Sequence, residues 1–242
     1  MLPQGDFRKE LVRAMKSRQT ATHPIFQELF QPRRNDELLR LTALQTYQLT
    51  KMFERYVAEL FYRCPVFSFR RRLASNLYEE VTGELSKTDG HLELMQKFLR
   101  ALGISDEEAR AAEPLPATRE LIEYRRALVE DPARYHMGAA AVMIASEGQT
   151  IQKEGGRHPY MMLAELYGLS DDDVQFFAVH AEEDVHHVAE GLDYACELCT
   201  TEAQQREAIE AVRQTVDRFW AHYDGILSEY QARRGQARAA SA

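Results

Sequence analysis

The chain has 242 residues, 45% of them hydrophobic and 28% charged, enough apolar material to bury the core of one domain. A formal charge of −8, with no concentrated basic run before the last ten residues, argues against a nucleic acid or an anionic membrane surface as the main partner. No apolar run is long enough to cross a bilayer, and Cys64, Cys196 and Cys199 are too few for a disulfide framework, so a cytoplasmic protein with a small-molecule substrate is expected.

Apolar residues at helical spacing predict helices over residues 6–18, 36–63, 67–82, 91–102, 118–130, 134–152, 159–168, 171–199 and 203–231, with no convincing strand. The second shows the pattern best, with Leu38, Leu41, Tyr47, Met52, Tyr56 and Leu60 on one wide stripe. Breakers such as Pro65, Gly83, Asp89-Gly90, Gly103, Pro132 and Pro159 mark the joints. Long helices with short connections imply an all-α antiparallel bundle. Residues 1–232 are expected to form one domain, and RRGQARAASA at 233–242 a flexible tail. The start, MLPQGDFRKELVRAMKS, has no apolar signal-peptide core.

The chemistry-bearing residues lie in the second half of this pattern. Glu80 stands near the end of one predicted helix and His91 at the start of the next. On an unbroken helix the two would be about 16 Å apart, so a bend in VTGELSKTDG is required if they are to meet. Its glycines and short polar residues predict few buried contacts there. Glu84, seven residues before His91, is the rival carboxylate or an additional one. Glu147 is the one acid in the small, apolar run GAAAVMIASEGQT, where an unpaired charge would be costly to bury. Lys153, Arg157 and His158 follow it and could hold a substrate carboxylate, or form a solvated basic joint.

The stretch HAEEDVHHVAEG carries three histidines and an aspartate. At about 100° per residue, Asp184 lies roughly 40° from His180 and His187 roughly 20° on the other side, whereas His186 falls about 240° away. His180, Asp184 and His187 thus share one face and span about 10 Å of axis, long enough to serve two metal ions. With Glu80, His91 and Glu147 they make three carboxylates and three imidazoles, an inventory that suits two iron or manganese ions and, lacking thiolates, disfavours structural zinc. The lone Cys196/Cys199 pair reads as packing.

The set NLYEE, a break, HLELMQKFLRALGIS, an isolated Glu147, then LYGLSDDDVQFFAVHAEEDVHH resembles the haem-oxygenase-like diiron oxidases and oxygenases, the iron-containing redox enzymes related in fold to thiaminase II and PQQ-synthase-type proteins. HPIFQEL near the start fits as well. The resemblance implies a bundle of about seven core helices and a cofactor of Fe(II), two per chain, that reacts with O2. The six residues above carry over as ligands, Glu80 rather than Glu84 because it follows the NLYE register. Desaturation, oxidative C–C cleavage or N-oxygenation of a small organic acid or amino-acid-like substrate is the activity implied. One branch makes an aminobenzoate by consuming its own tyrosine and lysine; Phe26 and Arg157 stand in those places here, which speaks against that chemistry. The alternatives are a metal-independent thiaminase-like or cofactorless oxidase of the same fold, and a non-catalytic helical metal-binding or interaction protein. The assembly, with a homodimer among the candidates, is left open.

Overall fold

The computed structural model describes residues 1–149 and 158–240, apart from the side chains of 182–186, 238 and 240. Among the described residues there is no strand. The α-helices in chain order are α1 Gln4–Met15, α2 Pro24–Leu29, α3 Asp36–Arg63, α4 Phe67–Thr82, α5 His91–Ala101, α6 Asp106–Ala111, α7 Pro116–Val129, α8 Tyr135–Ala140, α9 Pro159–Tyr167, α10 Gln175–Leu198 and α11 Glu202–Ala240.

Capping explains several starts. Asn35 accepts the Leu38 amide at the head of α3, Ser105 accepts the Glu108 amide at the head of α6, and the His23 ring accepts the Ile25 amide before α2, where Pro24 fills the first turn. The predicted start at residue 171 is displaced to Gln175 because Asp173 accepts both the backbone amide and the hydroxyl of Ser170, closing a local turn instead. α2 and α6, six residues each, lie outside the predicted helices, being too short for their periodicity to register. The S-x-x-E spacing of Ser105 and Glu108 was the available signal for α6.

Two differences are larger. The segment expected as one helix over 134–152 is composite: α8 passes into a π-helical stretch, Ala141–Ser146, and then a 3-10 turn, Glu147–Gln149. At the other end, the expected tail at 233 onward is helical through Ala240, since a run of Ala, Arg and Gln prolongs α11 and its single Gly235 costs only about 1 kcal/mol.

α11 packs along α7, α1, α8, α3 and the π-helical stretch; α10 lies against that stretch, α8, α1 and α5. Three sizeable apolar clusters fill the interior, one of them around Tyr56, Leu60, Phe69 and Tyr194. Of the others, the first joins Ile25, Leu38, Met95, Phe98 and Ile226, and the second Phe7, Leu11, Ile144, Val188 and Val212. Cys199 is buried in the second, consistent with a packing role.

The joint between α4 and α5 is tighter than its composition suggests. Gly83 ends α4 with φ 65°, and a Cβ there would lie 2.2 Å from the carbonyl oxygen of Asp89. Gly90, also buried, passes close to the last turn of α4, where a Cβ would lie 2.4 Å from the Val81 carbonyl oxygen. The backbones of the two glycines therefore set the bend. Gly90→Ala must push α5 away from α4 and should lower the unfolding free energy by about 1–3 kcal/mol. Urea denaturation measures this, and an unchanged midpoint would mean that the joint yields without strain.

Candidate metal centre

The bend brings together residues far apart in sequence. Glu80, in the last turn of α4, and His91, the first residue of α5, are both buried, and Glu80 Oε2 lies 3.1 Å from His91 Nδ1. His180 of α10 completes the group, its ring 4.6 Å from that of His91. One donor atom from each of the three falls within 4.8 Å of the others, a grouping that could hold a metal ion. Nitrogen and carboxylate oxygen donors without thiolate suit iron or manganese.

The His180 ring is fixed by its own helix. Its Nδ1 lies 2.6 Å from the Phe176 carbonyl oxygen, and because a carbonyl only accepts, Nδ1 carries the proton and Nε2 the lone pair. Burial, and then the neighbouring His91, hold its pKa down at about 4, so the imidazole is neutral and able to ligate.

A second pairing lies two turns along α10. Glu147, buried in the 3-10 turn, has Oε1 3.6 Å from His187 Nδ1, and the Asn76 amide of α4 lies 3.5 Å from His187 Nε2. His180 and His187 of α10 thus face separate carboxylates, Glu80 and Glu147. The side chain of Asp184, between them in sequence, lies outside the described residues, as do Lys153 and Arg157.

Two neighbours have other work. Glu79 is buried beside His91 at 3.7 Å, but its carboxylate accepts the amides of Leu85 and Ser86 and the Ser86 hydroxyl. Burial would raise its pKa, yet these hydrogen bonds outweigh burial and hold the carboxyl below its ordinary value. Glu79 is therefore the anchor of the joint. Glu84 is exposed and accepts the Tyr78 hydroxyl, away from the His91 group.

The centre opens onto a cavity of about 570 Å³ whose wall includes Glu80, Glu147 and His180. Most of the remaining wall is apolar, with Phe26, Phe53, Phe98, Phe176 and Phe219 contributing rings. His158 reaches this wall too, its ring 4.7 Å from Tyr160 and its pKa lowered by burial. So do Tyr223, whose hydroxyl burial pushes up to about 12, and Arg125.

Sequence reasoning passed over Asn76 and Arg125. Both interrupt an apolar stripe at helical spacing, Asn76 after Phe69 and Leu73, and Arg125 between Leu121 and Leu128. A polar residue on a buried stripe was the signal.

A family model described as iron-containing redox enzyme matches residues 40–220. The chain belongs to this family. As an iron-containing redox enzyme it is 27% identical over 242 residues to a 4-aminobenzoate synthase of Nitrosomonas europaea, with 93% of each chain covered. A 4-aminobenzoate synthase of Chlamydia trachomatis is 28% identical, covering 79% of each. Among solved structures, a TenA homologue of Pseudomonas syringae superposes with a TM-score of 0.73 at 16% identity, covering 93% of this chain and 92% of its own. A domain with a haem-oxygenase-like fold from Shewanella denitrificans gives 0.73 at 16% identity, over 97% and 96%. The fold of this iron-containing redox enzyme is haem-oxygenase-like, and among the described residues no helix is long and apolar enough to cross a membrane.

Removing the anchor tests the construction of the joint. Glu79→Ala leaves the amides of Leu85 and Ser86 without their acceptor and should cost about 1–3 kcal/mol of stability, with faster hydrogen exchange confined to residues 83–90. Exchange that stays slow there would show that the glycine contacts alone hold the loop.

Proposed function

We propose that this chain is a non-haem diiron enzyme that uses O2 to oxidise a small organic acid or amino-acid-like molecule, with Glu80, His91, Glu147, His180, Asp184 and His187 as iron ligands. The observation that carries this reading is the pair of carboxylate–imidazole groupings, Glu80 with His91 and Glu147 with His187, whose buried acids both border a largely apolar cavity. Iron held by these residues would supply electrons to O2 singly, which would overcome the slow reaction of O2 with closed-shell molecules.

The chain's own residues prepare that chemistry. The Nδ1–H of His180, held on the Phe176 carbonyl, keeps its lone pair turned from the backbone, and burial keeps the ring unprotonated. The phenyl walls exclude water and hold the apolar part of a substrate against the carboxylates. Tyr223 keeps its proton at neutral pH, so it can donate a hydrogen bond into the cavity without adding charge. Desaturation, C–C cleavage and N-oxygenation are all compatible with such a chamber. A cytoplasmic setting, where thiols stay reduced, fits the free Cys64, Cys196 and Cys199.

A second reading is favoured by one observation. The named relatives are 4-aminobenzoate synthases, and although Phe26 has no hydroxyl, the Tyr223 ring lies 5.3 Å from it and borders the same cavity. If the chain consumed its own tyrosine, Tyr223 and Tyr160, which borders the same cavity, are the residues at hand. Intact-mass analysis after exposure of the iron-loaded protein to O2 separates the two readings: an unchanged mass supports oxidation of an external substrate, and a loss of side-chain mass with release of 4-aminobenzoate supports self-consumption.

The diiron reading itself predicts about two ferrous ions per chain after anaerobic loading, because six nitrogen and oxygen ligands exceed the needs of one ion. His187→Ala should abolish O2 uptake and His186→Ala should leave most of it, since only His187 shares the His180 face. Metal analysis that finds one ion or none in folded protein counts against the proposal, and finding none favours metal-free chemistry on the same fold.

A further inference from the structure

Arg125 is 2% exposed and sits on the buried face of α7 with Thr118, Leu121 and Leu128, while the adjacent Arg126 turns outward to Glu130. Its guanidinium is wedged between two rings, 4.9 Å from the centroid of Tyr56 and 5.2 Å from that of Phe219. Nε reaches the Leu121 carbonyl oxygen at 3.4 Å and Nη1 the Ser146 hydroxyl at 3.2 Å. Ser146 directs its own proton to the Ala141 carbonyl, so it meets the arginine with lone pairs. Nη2 is buried and forms no well-aligned hydrogen bond among the described residues; the Tyr56 hydroxyl lies close enough to share one with the guanidinium, and no described carboxylate offsets its charge. The nearby His222 is held neutral, first by burial and then by Arg125 itself, with a pKa of about 3.

A guanidinium taken out of water without a counter-charge is costly by several kcal/mol, and two aromatic faces offset only part of that. The cation also borders the cavity, as do Ser146 and Phe219. Clamped on both faces, it can meet a partner only edge-on, by a turn of the side chain that brings Nη2 to the cavity, and the edge of a guanidinium matches the two oxygens of a carboxylate. Its hydrogen-bond partner Ser146 immediately precedes Glu147, so an anion seated there lies beside the proposed centre rather than at a remote site.

We infer that Arg125 receives the carboxylate of the substrate, and that the substrate class is a monocarboxylic acid whose apolar body lies along the phenyl-lined part of the cavity. This rests on the cavity being the substrate chamber, and it assigns the anchoring role to a residue of α7 rather than to the segment after Glu147. Binding through Arg125 requires no metal. Metal-free protein is therefore the right material for the test, because there a carboxylate cannot bind by ligating iron.

Calorimetric titration with hexanoate and benzoate, each against its uncharged amide, reads the inference directly. Wild-type protein should bind each acid at least about tenfold more tightly than its amide. Arg125→Met should abolish that preference while leaving amide affinity unchanged, and Arg125→Lys, which keeps the charge but not the two-pronged geometry, should retain part of it. Equal affinity for acid and amide in the wild type, no binding of either acid, or an undiminished preference in Arg125→Met would overturn the inference. The wild-type comparison stands even if a variant fails to fold. Iron loading, measured separately, keeps the two proposals apart: acid preference without iron uptake defeats the diiron reading alone, and iron uptake without acid preference defeats the role of Arg125 alone.

Discussion

Carboxylates do not enter the interior of a helical bundle unless something there compensates them, and this bundle buries Glu79, Glu80 and Glu147. Glu79 is satisfied locally, by the amides and hydroxyl of the loop that follows it. Glu80 and Glu147 meet imidazoles instead, and those imidazoles come from other helices. The requirement that they meet dictates where α4 stops, why α5 starts at His91, and how α10 is rotated. Much of the architecture can be read as the solution to placing these acids.

The same requirement explains the tension within the α4–α5 joint. Its exposed residues are those of an ordinary loop, but Gly83 and Gly90 hold the chain too close for any side chain, and Glu79 ties it from within. Order there comes from backbone packing and hydrogen bonds, not from apolar burial, so hydropathy alone reads the segment as loose. A joint of this kind positions His91 without burying a hydrophobic residue of its own, since its Leu85 is exposed.

The long elements were legible because their signal is periodic burial. α3 and α4 begin and end at the predicted residues. What escaped was set by neighbours distant in sequence. The Phe67–Thr82 pattern does not say that Asn76 faces His187, and the neighbouring pair Arg125-Arg126 looks uniformly surface-bound until the Tyr56 and Phe219 rings close over one of them. Short α2 and α6 depend on caps more than on periodicity, and the change of helical type before Glu147 has no compositional mark in a run of small apolar residues.

That change of helical type has a consequence for how the segment tolerates variation in length. A π-helical stretch hydrogen-bonds to the fifth residue along rather than the fourth, so Ala141–Ser146 holds one more residue in its turn than regular geometry would allow. Deleting a single residue there would let the chain relax into an unbroken α-helix, locally the more regular state. Because the wider turn had absorbed that residue, Ser146 and Glu147 would keep nearly their present direction; an α-helix formed at the present length is what would turn them by about 100°, off the cavity wall. At the present length, regularity of this helix and the aim of its polar end are thus in opposition, and a chain one residue shorter could have both.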